Sequence, residues 1–377
     1  MITSNSWIEI SRGALEANLR AFRSVLAPST RLMAVVKANA YGHGLEATAP
    51  VLAAGADWLG VNALDEALAL VRLGIGKPVC ILGFTVPEDA RTIVEHGFRQ
   101  VVYREDAVEA LAKAAQAAGR PARIHLKVET GTNRQGIPLG ELRAFVEWIG
   151  SLPGLEVEGI STHFANIEDT LDPSFARGQQ RRFEEAVRIL EGAGVRPPQI
   201  HTAATAGVLL FPETHFTMVR VGVGLYGIWP SRETRIAARE RGRDVTLDPP
   251  MTWKCRIAQI KHVGPGESVG YGLTFQANRP LRLAVLPVGY YDGYDRKLSN
   301  AGRVLVRGKY AAVVGRVAMN MTMVDVTDCG AEVSDEVVLL GRQGEAEVRA
   351  EDLAERIGTI PYEVVSRINP LIPRTLR

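Results

Sequence analysis

The sequence predicts an α/β protein, an N-terminal (β/α)8 TIM barrel followed by a C-terminal, mostly β domain. Three observations carry the prediction. Between about residue 30 and residue 227, some eight short β-rich runs alternate with helical patterns, and eight is the number that closes a barrel of ~250 residues. The alternation stops after Trp229, where residues 231–250 turn polar and charged and end in Asp248-Pro249-Pro250, the composition of a domain boundary. Beyond that point short strand-like runs are separated by Gly and Asp turns, the pattern of a small β domain. These readings place the barrel at residues 11–240 and the β-rich domain at residues 1–10 and 241–377.

Taken in order, the run Trp7-Ile8-Glu9-Ile10 reads as a strand lying ahead of the barrel and pairing with the C-terminal domain. Ser11 precedes a helical stretch with Leu15, Leu19, Phe22 and Leu26 on one face, closed by Pro28. The barrel strands are expected at 32–36, 58–62, 79–82, 100–103, 123–128, 157–162, 199–202 and 217–221. Helices are expected between them at 64–73, 105–118, 175–191 and 204–210, where apolar residues recur at three- and four-residue spacing. In the β domain Trp253, Cys255 and Ile257 alternate with Lys254 and Arg256, and further runs lie at 281–286, 304–306, 312–314, 321–326 and 337–340.

Composition narrows the function classes. Of 377 residues, 46% are hydrophobic and the formal charge is +2, which argues against electrostatically driven binding to nucleic acid or a membrane surface. No apolar stretch is long enough to span a bilayer, and the N-terminal residues lack the pattern of a signal peptide. The three cysteines, Cys80, Cys255 and Cys329, match neither a disulfide framework nor a zinc spacing. A cytoplasmic protein without a metal is the expectation.

In such a barrel, residues just past the C-terminal ends of the strands face the active site. Lys37 follows the first strand, Arg134 lies in the loop after the fifth, His163 ends the sixth, Thr205 follows the seventh and Arg220 ends the eighth. Burial would push Lys37 towards its neutral, nucleophilic form, although a strand-end lysine also serves as a snorkelling surface residue. His201 reads as a satisfied structural histidine; taken singly, His163 also reads as a satisfied strand-end histidine, Arg220 as a barrel-lining ion-pair partner and Arg134 as a loop residue. The convergence of Lys37, Arg134, His163, Thr205 and Arg220 on one rim instead suits an anionic, aromatic cofactor. The segment Val219-Arg220-Val221-Gly222-Val223-Gly224 falls where barrels commonly bind phosphate.

The ordered segments Ala34-Val35-Val36-Lys37-Ala38-Asn39-Ala40-Tyr41-Gly42-His43-Gly44, Gly270-Tyr271-Gly272, Val288-Gly289-Tyr290-Tyr291-Asp292-Gly293, Val314-Gly315-Arg316-Val317-Ala318-Met319 and Ile360-Pro361-Tyr362-Glu363 resemble the bacterial alanine racemases, enzymes of fold type III. The resemblance runs nearly end to end. It implies pyridoxal 5'-phosphate as cofactor, a small amino acid as substrate, D-alanine for peptidoglycan as product, and a homodimer with shared active sites. It implies that Lys37 holds the cofactor and acts as one base, and that Tyr271, contributed across the dimer, is the second. Tyr41, Thr205, Gly222, Val223 and Tyr362 would hold the phosphate, Arg220 would meet the pyridine nitrogen, and His163 would lie beside the ring. Arg134 and the backbone of Met319 would contact the substrate carboxylate. Lys127 matches a lysine often carbamylated to orient that arginine, and Tyr290, Arg296, Arg316 and Glu168 would line the access corridor.

Racemisation needs a proton removed from one face of a carbon and returned to the other, hence two bases. An arginine at the pyridine nitrogen keeps its own proton, which weakens the electron sink and limits transamination. The family's usual Asn after the seventh strand is Ala204 here, its phosphate-binding serine is Thr205, and the usual Asp after Met319 is Asn320. These departures leave open a racemase of broader specificity, acting on serine or other small amino acids. A decarboxylase of related architecture would place an acid where Arg220 stands. A non-catalytic cofactor-binding protein would lack both the β domain and Tyr271.

Overall fold

A computed structural model describes residues 4–243 and 245–377. Of these, 16–38 and 49–247 form one compact unit, and 4–15, 39–48 and 248–377 form another.

In the first unit, eight parallel strands close a ring. Arg99–Val102, Val79–Ile81, Trp58–Val61, Arg31–Val35, Met218–Val221, Gln199–His201, Leu155–Ser161 and Ala122–Glu129 are neighbours in that order, and the last pairs back to the first. Strands covered on both faces should be apolar throughout, and Trp58–Val61 and Met218–Val221 are buried at every position. Met33, Trp58, Cys80, Val101 and Met218, one from each of five strands, fill a layer of the barrel interior. Thr205–Leu210 is buried throughout, whereas the longer helices bury one face. In Glu105–Ala118 the buried residues Val108, Leu111, Ala112 and Ala115 repeat at helical spacing, and Gly119 ends the helix in the left-handed conformation.

The sheet of the second unit runs Gln259–Val263, Leu281–Leu286, Thr322–Asp325, Lys309–Val313, Arg303–Val306, Glu336–Gln343, Met251–Arg256, Ser6–Ile10, Arg374–Leu376. The N-terminal strand pairs antiparallel to Met251–Arg256 and parallel to Arg374–Leu376, as its position in the sequence led us to expect. The alternation around Trp253 also appears: Met251, Trp253 and Cys255 point inward, while Lys254 reaches Glu9 (3.0 Å) and Glu336 (3.1 Å).

Four elements depart from the sequence reading. Residues 231–250 are not all linker, because Arg232–Glu240 is a helix capped by Ser231, whose Oγ accepts the Thr234 N–H at 3.0 Å. Its buried face is Thr234, Ala237 and Ala238, with no large apolar stripe to betray it. Ala350–Ile357, with Ala350, Leu353, Ala354 and Ile357 buried at helical spacing, and Pro361–Ser366 are short helices inside the β-rich unit. Lys37 does not open a glycine loop directly. Residues 38–41 form a left-handed turn, with φ of 55°, 52°, 54° and 53°.

Candidate active site

Left-handed backbone costs roughly 1–2 kcal/mol per non-glycine residue, so the turn after Lys37 has to be held from outside. Glu66 accepts the Ala38 N–H (2.6 Å) and that of Asn62 (2.7 Å) on the barrel side. In the other unit Asn39 Oδ1 accepts the Leu45 N–H (2.8 Å), and Arg374 donates to the Gly42 carbonyl (3.0 Å). At Gly42 a Cβ would run into the Val365 carbonyl, so only glycine lets the loop lie this close. Such strain at the residues following a candidate nucleophile marks a functional position.

The strand ends of the barrel unit gather cations. Lys37 is half-buried; burial lowers its pKa, and Arg134 and Arg220 lower it further against the pull of Glu66. Lys127 is pushed down to about 8, first by burial and then by Arg220 and Arg134. His163 falls to about 3, through burial and then the charge of Arg220, so it is neutral. Arg220 is buried and lowered by desolvation to about 10, which leaves it a cation at neutral pH. It donates to the carbonyls of His201 (2.7 Å), Thr162 (2.8 Å) and Thr202 (3.0 Å), to His201 Nδ1 (2.7 Å) and to His163 Nδ1 (3.3 Å). Repulsion within such a group is relieved by loss of a lysine proton or by an anion that joins it.

The loop after the eighth strand supplies the cradle. Gly222 precedes the tight turn Val223–Tyr226, and the Gly224 N–H donates to Thr205 Oγ1 at 3.3 Å. A Cβ on Gly224 would overlap the Phe22 ring and come within 2.7 Å of Thr205 Cγ2. We expect Gly224→Ala to cost about 1–3 kcal/mol, read as a lower midpoint of urea unfolding. An unchanged midpoint would show that Phe22 and Thr205 give way to a methyl group at Gly224.

Arg134 is exposed, in a loop shaped by Glu129, whose carboxylate accepts the Gly131 N–H (2.5 Å) and the Arg134 N–H (3.3 Å). Glu168 is exposed as well.

In the other unit Tyr271 stands 74% exposed in the turn Tyr271–Leu273, and Leu273 beside it is 72% exposed. Gly270 and Gly272, at φ 75° and 70°, set the turn, and the Arg316 guanidinium packs over Gly272. Tyr290, Met319 and Arg296 are exposed too, and the Tyr290 N–H donates to the Ala318 carbonyl at 3.0 Å. The rings of Tyr41 and Tyr362 lie 6.3 Å apart, and burial pushes the Tyr41 phenol up.

The structure thus brings Lys37, Lys127, Arg134, His163 and Arg220 within electrostatic reach of one another. His201 is a buried, satisfied histidine as the sequence reading has it, and the structure adds its partners, Arg220 and His125. Sequence reasoning also passed over Glu66, Glu129, His125 and Glu158. For His125 a signal was there: it lies two residues before Lys127 on the same strand, hence on the same face. No cluster of three or more His, Cys, Asp or Glu able to hold a metal occurs among the described residues. No helix among them is long and apolar enough to cross a membrane.

Comparison with known proteins adds three findings. Residues 10–230 match the family profile described as alanine racemase, N-terminal domain, and residues 250–376 the one described as alanine racemase, C-terminal domain. A protein of Leptospira interrogans named alanine racemase is 41% identical over 377 residues, covering 99% of this chain and 96% of that one. Among solved structures, alanine racemase from a D-cycloserine-producing Streptomyces lavendulae superposes with a TM-score of 0.93 at 36% identity, over 100% of this chain and 98% of that one. A histidine racemase from Leuconostoc mesenteroides gives a TM-score of 0.89 at 29% identity, over 100% and 99%.

Proposed function

The chain belongs to the alanine racemase family, and from this we propose that it interconverts L-alanine and D-alanine with two bases, Lys37 and the partner subunit's Tyr271. The observation that carries the reading is the cluster of Lys37, Lys127, Arg134 and Arg220 on the catalytic rim of the barrel, where burial and the two arginines lower the pKa of both lysines. These residues fit pyridoxal 5'-phosphate: a phosphate suits the Gly222-Val223-Gly224 loop, which lies against the Thr205 hydroxyl, and the cation cluster suits the molecule's negative charge. When bound, the cofactor supplies an electron-accepting ring next to the substrate's α-carbon.

The chain supplies the rest. Lys37 would hold the cofactor, and its lowered pKa enlarges the neutral fraction able to take a proton from the α-carbon. Thr205, Gly222, Val223, Tyr41 and Tyr362 would hold the phosphate. Arg220 would face the ring nitrogen and keep its own proton, and neutral His163 would lie beside the ring. Arg134 and the Met319 backbone would bind the substrate carboxylate. Lys127, lowered to about 8, has the neutral amine that adds CO2 with loss of a proton, and the resulting carbamate anion would orient Arg134. Tyr290, Arg296, Arg316 and Glu168 would line the approach.

A base that stands three-quarters in solvent cannot work from where it is, so the exposure of Tyr271 supports its contribution to a second copy of the chain. In a homodimer with shared sites, mixing inactive Lys37→Ala and Tyr271→Phe chains should restore about a quarter of full activity, because each mixed dimer of a two-fold pair holds one intact site. Absence of recovery after confirmed subunit exchange would refute the shared site. D-Alanine production for peptidoglycan and a cytoplasmic location complete the proposal; the three buried free thiols, Cys80, Cys255 and Cys329, suit a reducing compartment.

The decisive test is a chiral assay of the purified protein against L- and D-alanine, serine and histidine. Equilibration of alanine from either enantiomer is expected. Release of CO2 without change of configuration would overturn the reading. Ala204 and Asn320, with the likeness to a histidine racemase, favour turnover of a second amino acid at a lower rate.

A further inference from the structure

Barrel interiors are normally filled with layers of branched apolar side chains. Here a polar chain crosses the barrel beside the layer of Met33, Trp58, Cys80, Val101 and Met218. It starts at Arg220, whose Nη1 meets His201 Nδ1 at 2.7 Å. His201 Nε2 is 2.8 Å from His125 Nδ1, and His125 Nε2 is 3.4 Å from Glu158 Oε2. Glu158 then takes two hydrogen bonds from Arg99, at 2.8 and 3.1 Å, with Arg123 at 4.0 Å. His125 and His201 are completely buried. The space for the His125 ring depends on Gly159, where a Cβ would overlap it.

The donors and acceptors leave only one arrangement of protons. A guanidinium has no acceptor, so Nδ1 of His201 accepts from Arg220 and its proton sits on Nε2. That proton is donated to His125 Nδ1, which places the His125 proton on Nε2, facing the carboxylate. Burial disfavours the charged form of both rings. Glu158 is held at about 2 despite burial, by its hydrogen bonds from His125 and Arg99. The chain therefore links an anion, through two neutral imidazoles, to the buried cation Arg220. In low dielectric such bonds polarise one another.

We propose that His125 and Glu158, acting through His201, are positioning residues for Arg220: they lock it as an oriented cation and so limit protonation of the cofactor's ring nitrogen. The role rests on the racemase reading given above. The ion pair of Glu158 with Arg99 supplies the fixed anion, and the two rings carry its influence along the barrel axis to the catalytic rim. A network that only filled the core would need neither the matched tautomers nor a terminus on Arg220.

The test has two arms on the full-length holoenzyme. With 15N-labelled histidine, NMR should find His125 and His201 as neutral Nε2–H tautomers that do not titrate between about pH 6 and pH 9. A proton on Nδ1 of His201, or a charged ring in that range, would overturn the proposal whatever the enzyme's activity. In the second arm Glu158→Gln, and His125→Gln should Glu158→Gln not fold, are assayed for racemisation and for transamination. In the latter the amino group passes from alanine to the cofactor and water completes the release of pyruvate. The ratio of transamination to racemisation should rise roughly tenfold. Lower stability with an unchanged ratio would reduce the chain to core filling and sink the proposal. Failure of the wild-type protein to racemise any amino acid would count against the racemase reading, while the NMR arm still decides the chain.

Discussion

Replacing Lys37 with Ala should lower alanine racemisation by about 10³-fold, within the range that a positioned acid–base group contributes. Two losses combine. The substitution removes the amine that the neighbouring charges of Arg134 and Arg220, added to burial, push towards neutrality. It also removes the covalent anchor, so borohydride treatment should no longer fix the cofactor to the chain. The fold should survive, because Lys37 lies beyond the end of strand Arg31–Val35 and the turn that follows is held by Glu66, Asn39 and Arg374. A variant that kept its rate, or still trapped the cofactor at another lysine, would remove Lys37 from the mechanism.

Tyr271→Phe should retain the cofactor and its absorbance while racemisation falls by about 10²–10⁴-fold. Two opposed bases predict an asymmetry as well. With one base missing, the other still reaches the α-proton from its own face. In deuterated water the variant should therefore exchange the α-hydrogen of one alanine enantiomer much faster than that of the other, with little inversion. Equal residual exchange from both enantiomers would mean that a single base serves both faces. Stability should barely change, since a side chain 74% exposed contributes little packing to its own chain.

Much of this was legible in the sequence because barrel strands and helices are written in local pattern. The buried faces of Glu105–Ala118 and the apolar run before Lys37 obey short-range periodicity, and the rim positions follow from counting strand ends. The helix Arg232–Glu240 escaped because alanine and threonine form its buried face. The left-handed turn escaped because Ala38-Asn39-Ala40-Tyr41 has no local reason to adopt positive φ; contacts from Glu66, and from Arg374 more than 300 residues away, impose it. His201 looked like an ordinary core histidine because nothing within the sequence says which arginine its Nδ1 will face.

The sequence by itself determined the barrel, the β-rich domain, the family, and the identity of the residues at the strand ends. These depend on periodicity and on ordered motifs, both of which are properties of neighbouring residues. Only the tertiary structure decided which of those residues act on one another. The lowered pKa of Lys37, the retained charge of buried Arg220 and its connection through His201 and His125 to Glu158 arise from groups far apart in the chain. Electrostatics in a buried site depends on distance and dielectric through space, and neither is set until the strands have closed.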